Sequence, residues 1–202
     1  MTTANKVTIV RILLVPFFIA QVIYYVKTGN ELLRWLAITC FAVAAISDGV
    51  DGFIARHFHQ RSELGAILDP LADKILLVAG VVLLSLHNEP YLPPIPVWLT
   101  VTILSRDVLL LIGLVVIHFV AGKVKVKPHL IGKAATVFQM ACVLWALFKL
   151  DSLWLYWLCV GAATLTGVSG LIYVFDGMRQ LATHPASSPS PSGEAGSDRD
   201  TD

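Results

Sequence analysis

The sequence predicts an all-α fold, an integral membrane bundle of six transmembrane helices, and three observations carry that reading. Of 202 residues, 56% are hydrophobic and only 14% charged, a balance too apolar for an ordinary soluble domain. Mean hydropathy is accordingly positive. The apolar residues also fall into six stretches of about 18 to 25 residues, the length at which a helix crosses a bilayer.

The stretches run approximately from Ile9 to Val26, Leu33 to Arg56, Leu64 to Leu86, Val97 to Val120, Ile131 to Leu150 and Leu153 to Phe175. Before the first, the polar segment Thr2 to Arg11 is expected to lie along the interface as a short helix, and Pro16 is expected to kink the span. No small-x-small cleavage site follows that span, so it reads as retained. The second and third spans flank the loop His57 to Glu63, whose two histidines read as solvated rather than as metal ligands. Asn88 to Pro96, with four prolines, is a rigid loop. Arg106 and Asp107 interrupt the fourth span; they either pair for structure or place a cation in a binding pocket. Gly122 to Lys133 is the most basic run, and most of it reads as facing anionic headgroups. Trp145, Trp154, Tyr156 and Trp157 read as an interfacial belt. Residues 1–183 then form one domain, and His184 to Asp202 a disordered Pro/Ser-rich acidic tail.

An even number of spans puts both termini on one side. That side carries Lys6, Arg11, Arg56, Arg61, Lys123, Lys125, Lys127, Lys133 and Arg179, against mainly Lys27, Arg34 and Lys149 opposite. The basic side is expected to be cytoplasmic, which makes the chain a multi-pass protein of the inner membrane. A net charge of +1 gives no sign of a nucleic-acid partner. Cys40, Cys142 and Cys159 fall inside spans without paired spacing, so they read as small packing residues.

The chemistry concentrates between Asp48 and Asp73. Asp48 and Asp51 are three residues apart and Asp69 and Asp73 four apart, so each pair shares a face of its own helix. A short loop would set the two helices antiparallel and bring the pairs opposite each other. A combined charge of about −4 cannot stay ionised at such separation without divalent cations. Mg²⁺ or Mn²⁺, hard ions that prefer oxygen, fit that donor set. Gly52 and Gly65 remove side chains where something could approach the backbone, and Arg56 at the edge of the span could pair with a diphosphate.

The same residues fit the pattern Asp-x2-Asp-Gly-x2-Ala-Arg-x8-Gly-x3-Asp-x3-Asp, with every fixed position present. In this the chain resembles the CDP-alcohol phosphatidyltransferase family, and Asn5, Thr8 and Arg11 resemble the family's leading segment. The resemblance implies a six-helix homodimeric membrane enzyme that moves the phosphatidyl group of CDP-diacylglycerol to an alcohol and releases CMP. It implies that Asp48, Asp51, Asp69 and Asp73 hold two divalent cations and that Asp73 accepts the proton of the attacking hydroxyl. Gly52, Ala55, Arg56 and Gly65 would border the CDP, with Asn5 and Thr8 near the nucleotide. Asn5 or Thr8 acting as a helix cap and Arg11 reaching to headgroups is the other reading.

Arg106, Lys127 and Lys133 are the candidate acceptor-binding cations. Leu68 to Lys74 resembles the branch that uses glycerol 3-phosphate to make phosphatidylglycerophosphate, together with the related cardiolipin synthases that use phosphatidylglycerol. Leu114 stands where the former usually carry a second Arg, and Ser105 to Val108 with Lys127 and Pro128 looks more like the latter. Both acceptors stay open, with inositol and serine behind them. A cation-coupled transporter would also use intramembrane carboxylates, but would place them near the bilayer midplane.

Overall fold

A computed structural model describes residues 3–58, 63–86, 88–121 and 130–182, with side chains described at 10–47, 74–86, 88–113, 115–116 and 130–178. Six helices follow in order: α1 Thr3–Thr28, α2 Glu31–Phe58, α3 Glu63–Ser85, α4 Val97–Ala121, α5 Leu130–Leu147 and α6 Ser152–Ala182. Each coincides with one expected apolar stretch. Val10–Thr28, Leu130–Leu147 and Ser152–Met178 are, among the described residues, long and apolar enough to cross a membrane.

The polar leading segment does not form a separate helix. It continues directly into α1, which runs through Pro16. Lacking an N–H, that proline removes one hydrogen bond, and the helix on either side of it rests on α2 and α3. The basic run Lys123 to His129 and the tail from His184 lie outside the described residues.

The core reads differently from that of a soluble protein, because its members are often small. Ala37, Ala44, Ala146, Ala162, Cys142 and Cys159 are all buried, and a Cβ at Gly80 would come within 3.1 Å of Val143. Without a hydrophobic force between helices in lipid, close backbone approach is what holds them together. Large apolar side chains such as Leu13, Ile46, Leu111 and Leu153 point outward instead, the arrangement that suits a lipid surround.

Short connections fix the antiparallel order. Gly29 takes φ 67 and its N–H closes on the Tyr25 carbonyl at 2.8 Å, which ends α1. A Cβ there would also lie 2.7 Å from the Tyr91 ring, so glycine is required twice over. Asn30 Oδ1 then accepts from the Leu32 N–H at 3.1 Å and caps α2. Running back along α1, the Cys40 thiol donates to the Leu14 carbonyl, and Phe18 meets Phe41 with ring centroids 5.5 Å apart.

The far connections share that end of the bundle. Tyr25 hydroxyl reaches Glu31 at 3.2 Å, and Lys149 Nζ donates to the same carboxylate at 2.9 Å. Trp35, Trp98, Trp154, Tyr156 and Trp157 are exposed around it, the expected aromatic belt with Trp35 and Trp98 added, whereas Trp145, also expected there, is half-buried against the core. Helix α5 ends at Leu147, three residues before its expected limit. Leu150 N–H bonds to the Trp145 carbonyl and Lys149 N–H to that of Ala146, with Lys149 left-handed at φ 55, a closing turn that sequence usually signals with glycine.

Candidate active site

Helices α2 and α3 carry the four aspartates. Asp48 and Asp51 lie in the C-terminal half of α2, and Asp69 and Asp73 in the N-terminal half of α3, around the connection 59–62. The two helices touch further along: a Cβ at Gly80 would lie 3.4 Å from the Phe41 ring, and those two residues are equally many residues from the connection. Asp48 and Asp73 are likewise equidistant from it, about 15 Å along each axis at 1.5 Å per residue. Asp51 and Asp69 lie one turn nearer the connection along their own helices. Gly52, Ala55 and Arg56 continue α2 toward the connection, and Gly65 lies in the first turn of α3.

The donor set at those two levels is oxygen only, which fits hard divalent cations and not zinc or copper. All three cysteines lie elsewhere, buried on α2, α5 and α6.

Immediately after Asp73, Lys74 leaves α3 toward α4. Its ammonium pairs with Asp107 Oδ1, and the same oxygen receives Arg106 Nη1 at 2.9 Å. Arg106 Nη2 donates to Ser169 Oγ of α6 at 3.1 Å, and the guanidinium lies 5.7 Å from the Tyr173 ring centroid. Cβ atoms placed at Gly132 and Gly170 would each meet Arg106 at 3.3 Å, the first at Nη2 and the second at Cγ. Three helices, α4, α5 and α6, therefore converge on one arginine, and α3 reaches its partner Asp107. The side chains of Arg106 and Asp107 are only 11% and 16% exposed, and charges so far from water need the partners they have.

The structure thus brings Arg106 into a network that begins beside Asp73. Lys133 follows buried Gly132 but is itself exposed at the start of α5, while Lys127 lies outside the described residues. Asn5 and Thr8 are in the first turns of α1. Arg11, one turn further, is 1% exposed, so its guanidinium is inside the bundle and does not reach to headgroups.

Sequence reasoning missed Gly132, Ser169, Gly170 and Tyr173. A signal existed in the small-residue run Gly167, Val168, Ser169, Gly170, which lets another helix approach closely. Nothing in it names an arginine as the occupant.

The family model for CDP-alcohol phosphatidyltransferases matches residues 1–169. Among curated proteins the chain is similar to the CDP-diacylglycerol–glycerol-3-phosphate 3-phosphatidyltransferases of Shigella flexneri serotype 5b (strain 8401) and Escherichia coli (strain K12). Each is 31% identical over 171 residues, covering 83% of this chain and 90% of the relative. With that coverage and the intact aspartate pattern, the chain belongs to the CDP-alcohol phosphatidyltransferase family, membrane enzymes of phospholipid biosynthesis.

Proposed function

We propose that this enzyme transfers the phosphatidyl group of CDP-diacylglycerol to glycerol 3-phosphate, giving phosphatidylglycerophosphate and CMP. The observation that carries the acceptor is the 31% identity, over nearly the whole length, to enzymes named for that reaction. The spacing of the acids supports the catalytic half, since each pair shares a face of its own helix on either side of one connection.

Asp48, Asp51 and Asp69 hold two Mg²⁺ or Mn²⁺ ions, with Asp73 completing the set. When bound, the ions neutralise the diphosphate and stabilise the leaving phosphate. Gly52, Ala55, Arg56 and Gly65 border the CDP, Arg56 as a bidentate donor to phosphate oxygens, with Asn5 and Thr8 near the nucleotide. Asp73 takes the proton of the acceptor hydroxyl, whose oxygen attacks the phosphorus that carries diacylglycerol. The bond from that phosphorus to the bridging oxygen breaks, and CMP leaves with the oxygen. Arg106, Lys127 and Lys133 supply positive charge for the acceptor's phosphate. Six helices cross the inner membrane with both termini and the aspartates at the cytoplasmic face, and the chain works as a homodimer.

A second reading, cardiolipin formation from phosphatidylglycerol, is favoured by Leu114, where enzymes of the first kind usually have a second Arg. The test offers each acceptor separately to purified protein with CDP-diacylglycerol and Mg²⁺ or Mn²⁺, measuring CMP and identifying the lipid. Phosphatidylglycerophosphate from glycerol 3-phosphate is expected. Cardiolipin as the product would replace it with the second reading, and no CMP with any alcohol would overturn both.

A further inference from the structure

We infer that Asp107 is a positioning residue for the acceptor half of the reaction, fixing Arg106 and Lys74 as one unit against the aspartate helix. The inference rests on the phosphatidyl-transfer reading above and adds to it two residues, Asp107 and Lys74, and the glycine cradle at Gly132.

Asp107 Oδ1 is the shared acceptor for a cation from α3 and a cation from α4. Through Lys74 it holds the residue next to Asp73. Through Arg106 it holds a guanidinium whose other nitrogen is tied to Ser169 and whose plane lies by Tyr173 on α6. The carboxylate is thus the joint between the helix that carries Asp69 and Asp73 and the layer formed by α4, α5 and α6.

Two features set this network apart from one made for stability alone. Among the described residues its charges do not cancel, because buried Arg106 and half-exposed Lys74 share one carboxylate. It is also left open: Asp107 Oδ2 and Arg106 Nε are buried with no hydrogen-bond partner among the described residues, whereas native networks close nearly all such atoms. A surplus cation with an idle N–H suits a phosphate, the group that glycerol 3-phosphate and phosphatidylglycerol share. Gly132 explains how the guanidinium fits. With a Cβ 3.3 Å from Nη2, a side chain there makes the end of Arg106 shift by about a few tenths of an ångström, and because that end is flexible the fold would survive.

The test compares Asp107→Asn, Asp107→Glu and Gly132→Ala in the full chain. CMP release is measured with acceptor varied at saturating CDP-diacylglycerol and the reverse, alongside the thermal midpoint. Asp107→Asn is expected to raise the acceptor KM by about tenfold or more, the loss expected when a charge-assisted contact to phosphate is misplaced, and to leave the CDP-diacylglycerol KM within about twofold. Asp107→Glu should recover most of it. Gly132→Ala should shift the acceptor KM in the same direction at an unchanged thermal midpoint, and it decides the matter if Asp107→Asn does not fold. Titrations with glycerol 3-phosphate and with phosphatidylglycerol show which phosphate is held. Folded, active variants with an unmoved acceptor KM would sink this inference and leave the proposed function standing. A wild type that releases no CMP would take both down.

Discussion

Phe41 and Gly80 face each other across α2 and α3, with 3.4 Å between the ring and the place a Cβ would occupy at Gly80. That contact is one point at which α2 packs against α3. Val143 of α5 closes the same spot at 3.1 Å, so a larger residue has no free side to turn to. Gly80→Leu is expected to force the helices apart, destabilising the fold by about 1–3 kcal/mol as overpacked cores do. The thermal midpoint in detergent and CMP release should fall together. A leucine variant with wild-type melting and turnover would show that this contact does not hold the helices together.

Asp73→Asn keeps the size of the side chain and removes its ability to take a proton. If Asp73 is the general base, kcat should fall by about 10²–10⁴. The thermal midpoint should change little, because no proton transfer is needed for folding. Retained turnover in the asparagine variant would assign the base to another group.

A chelator is expected to stop CMP release, and Mg²⁺ or Mn²⁺ to restore it. Residues that merely orient metal ligands are worth about 10–100-fold in metal affinity, so losing a ligand should do at least as much. Asp48→Asn should therefore raise the Mn²⁺ concentration for half-maximal release by about tenfold or more. Turnover that ignores the chelator would exclude the metal assignment.

The far end of the bundle should respond to pH in a direction that the ion pairs dictate. The hydrogen bond from Lys149 holds the Glu31 carboxyl below the usual glutamate range, with the Arg34 and Lys149 charges adding to it. A lowered value in the folded state gives stability that is present above the unfolded value of about 4.3 and is lost as pH falls through the folded one. The thermal midpoint should thus drop on acidification below about pH 4, and Glu31→Gln should flatten that limb. The contact of Glu31 with solvent keeps the effect small, and high salt should shrink it further. An unchanged acid limb in Glu31→Gln would mean that other carboxylates carry it.

Much of this was legible in the sequence, for reasons that differ by element. Hydropathy finds each of the six described helices because each carries a long apolar stretch whatever it packs against. The Asp48 to Asp73 pattern is readable because it needs only fixed helical spacing to put each pair of acids on one face of its helix. The Arg106 cradle is not, since Gly132, Ser169 and Tyr173 meet that arginine only once α4, α5 and α6 have packed. Cys142 and Cys159 show the same limit. Their positions on α5 and α6 carry no paired spacing, yet both are completely buried in one core. The leading segment was misjudged because polarity suggested an interfacial helix, whereas Arg11 is buried in the bundle and α1 continues through it.

Lys149 poses a last question of magnitude, because it occupies a left-handed conformation at φ 55 that glycine would adopt without strain. For an L-residue that conformation costs about 1–2 kcal/mol. Against it stand the exposed contact with Glu31 at 2.9 Å and the ammonium 5.2 Å from the Tyr25 ring centroid. An exposed ion pair is worth about 0–1 kcal/mol and an exposed cation–π contact about 0.5–1, so the two sides nearly offset each other. Lys149→Gly should therefore leave the thermal midpoint close to wild type. Lys149→Ala keeps the strain and loses both contacts, and it should be less stable than either by roughly 1 kcal/mol. Alanine melting with glycine would show that the backbone relaxes at this turn, and that the lysine is held there by its partners alone.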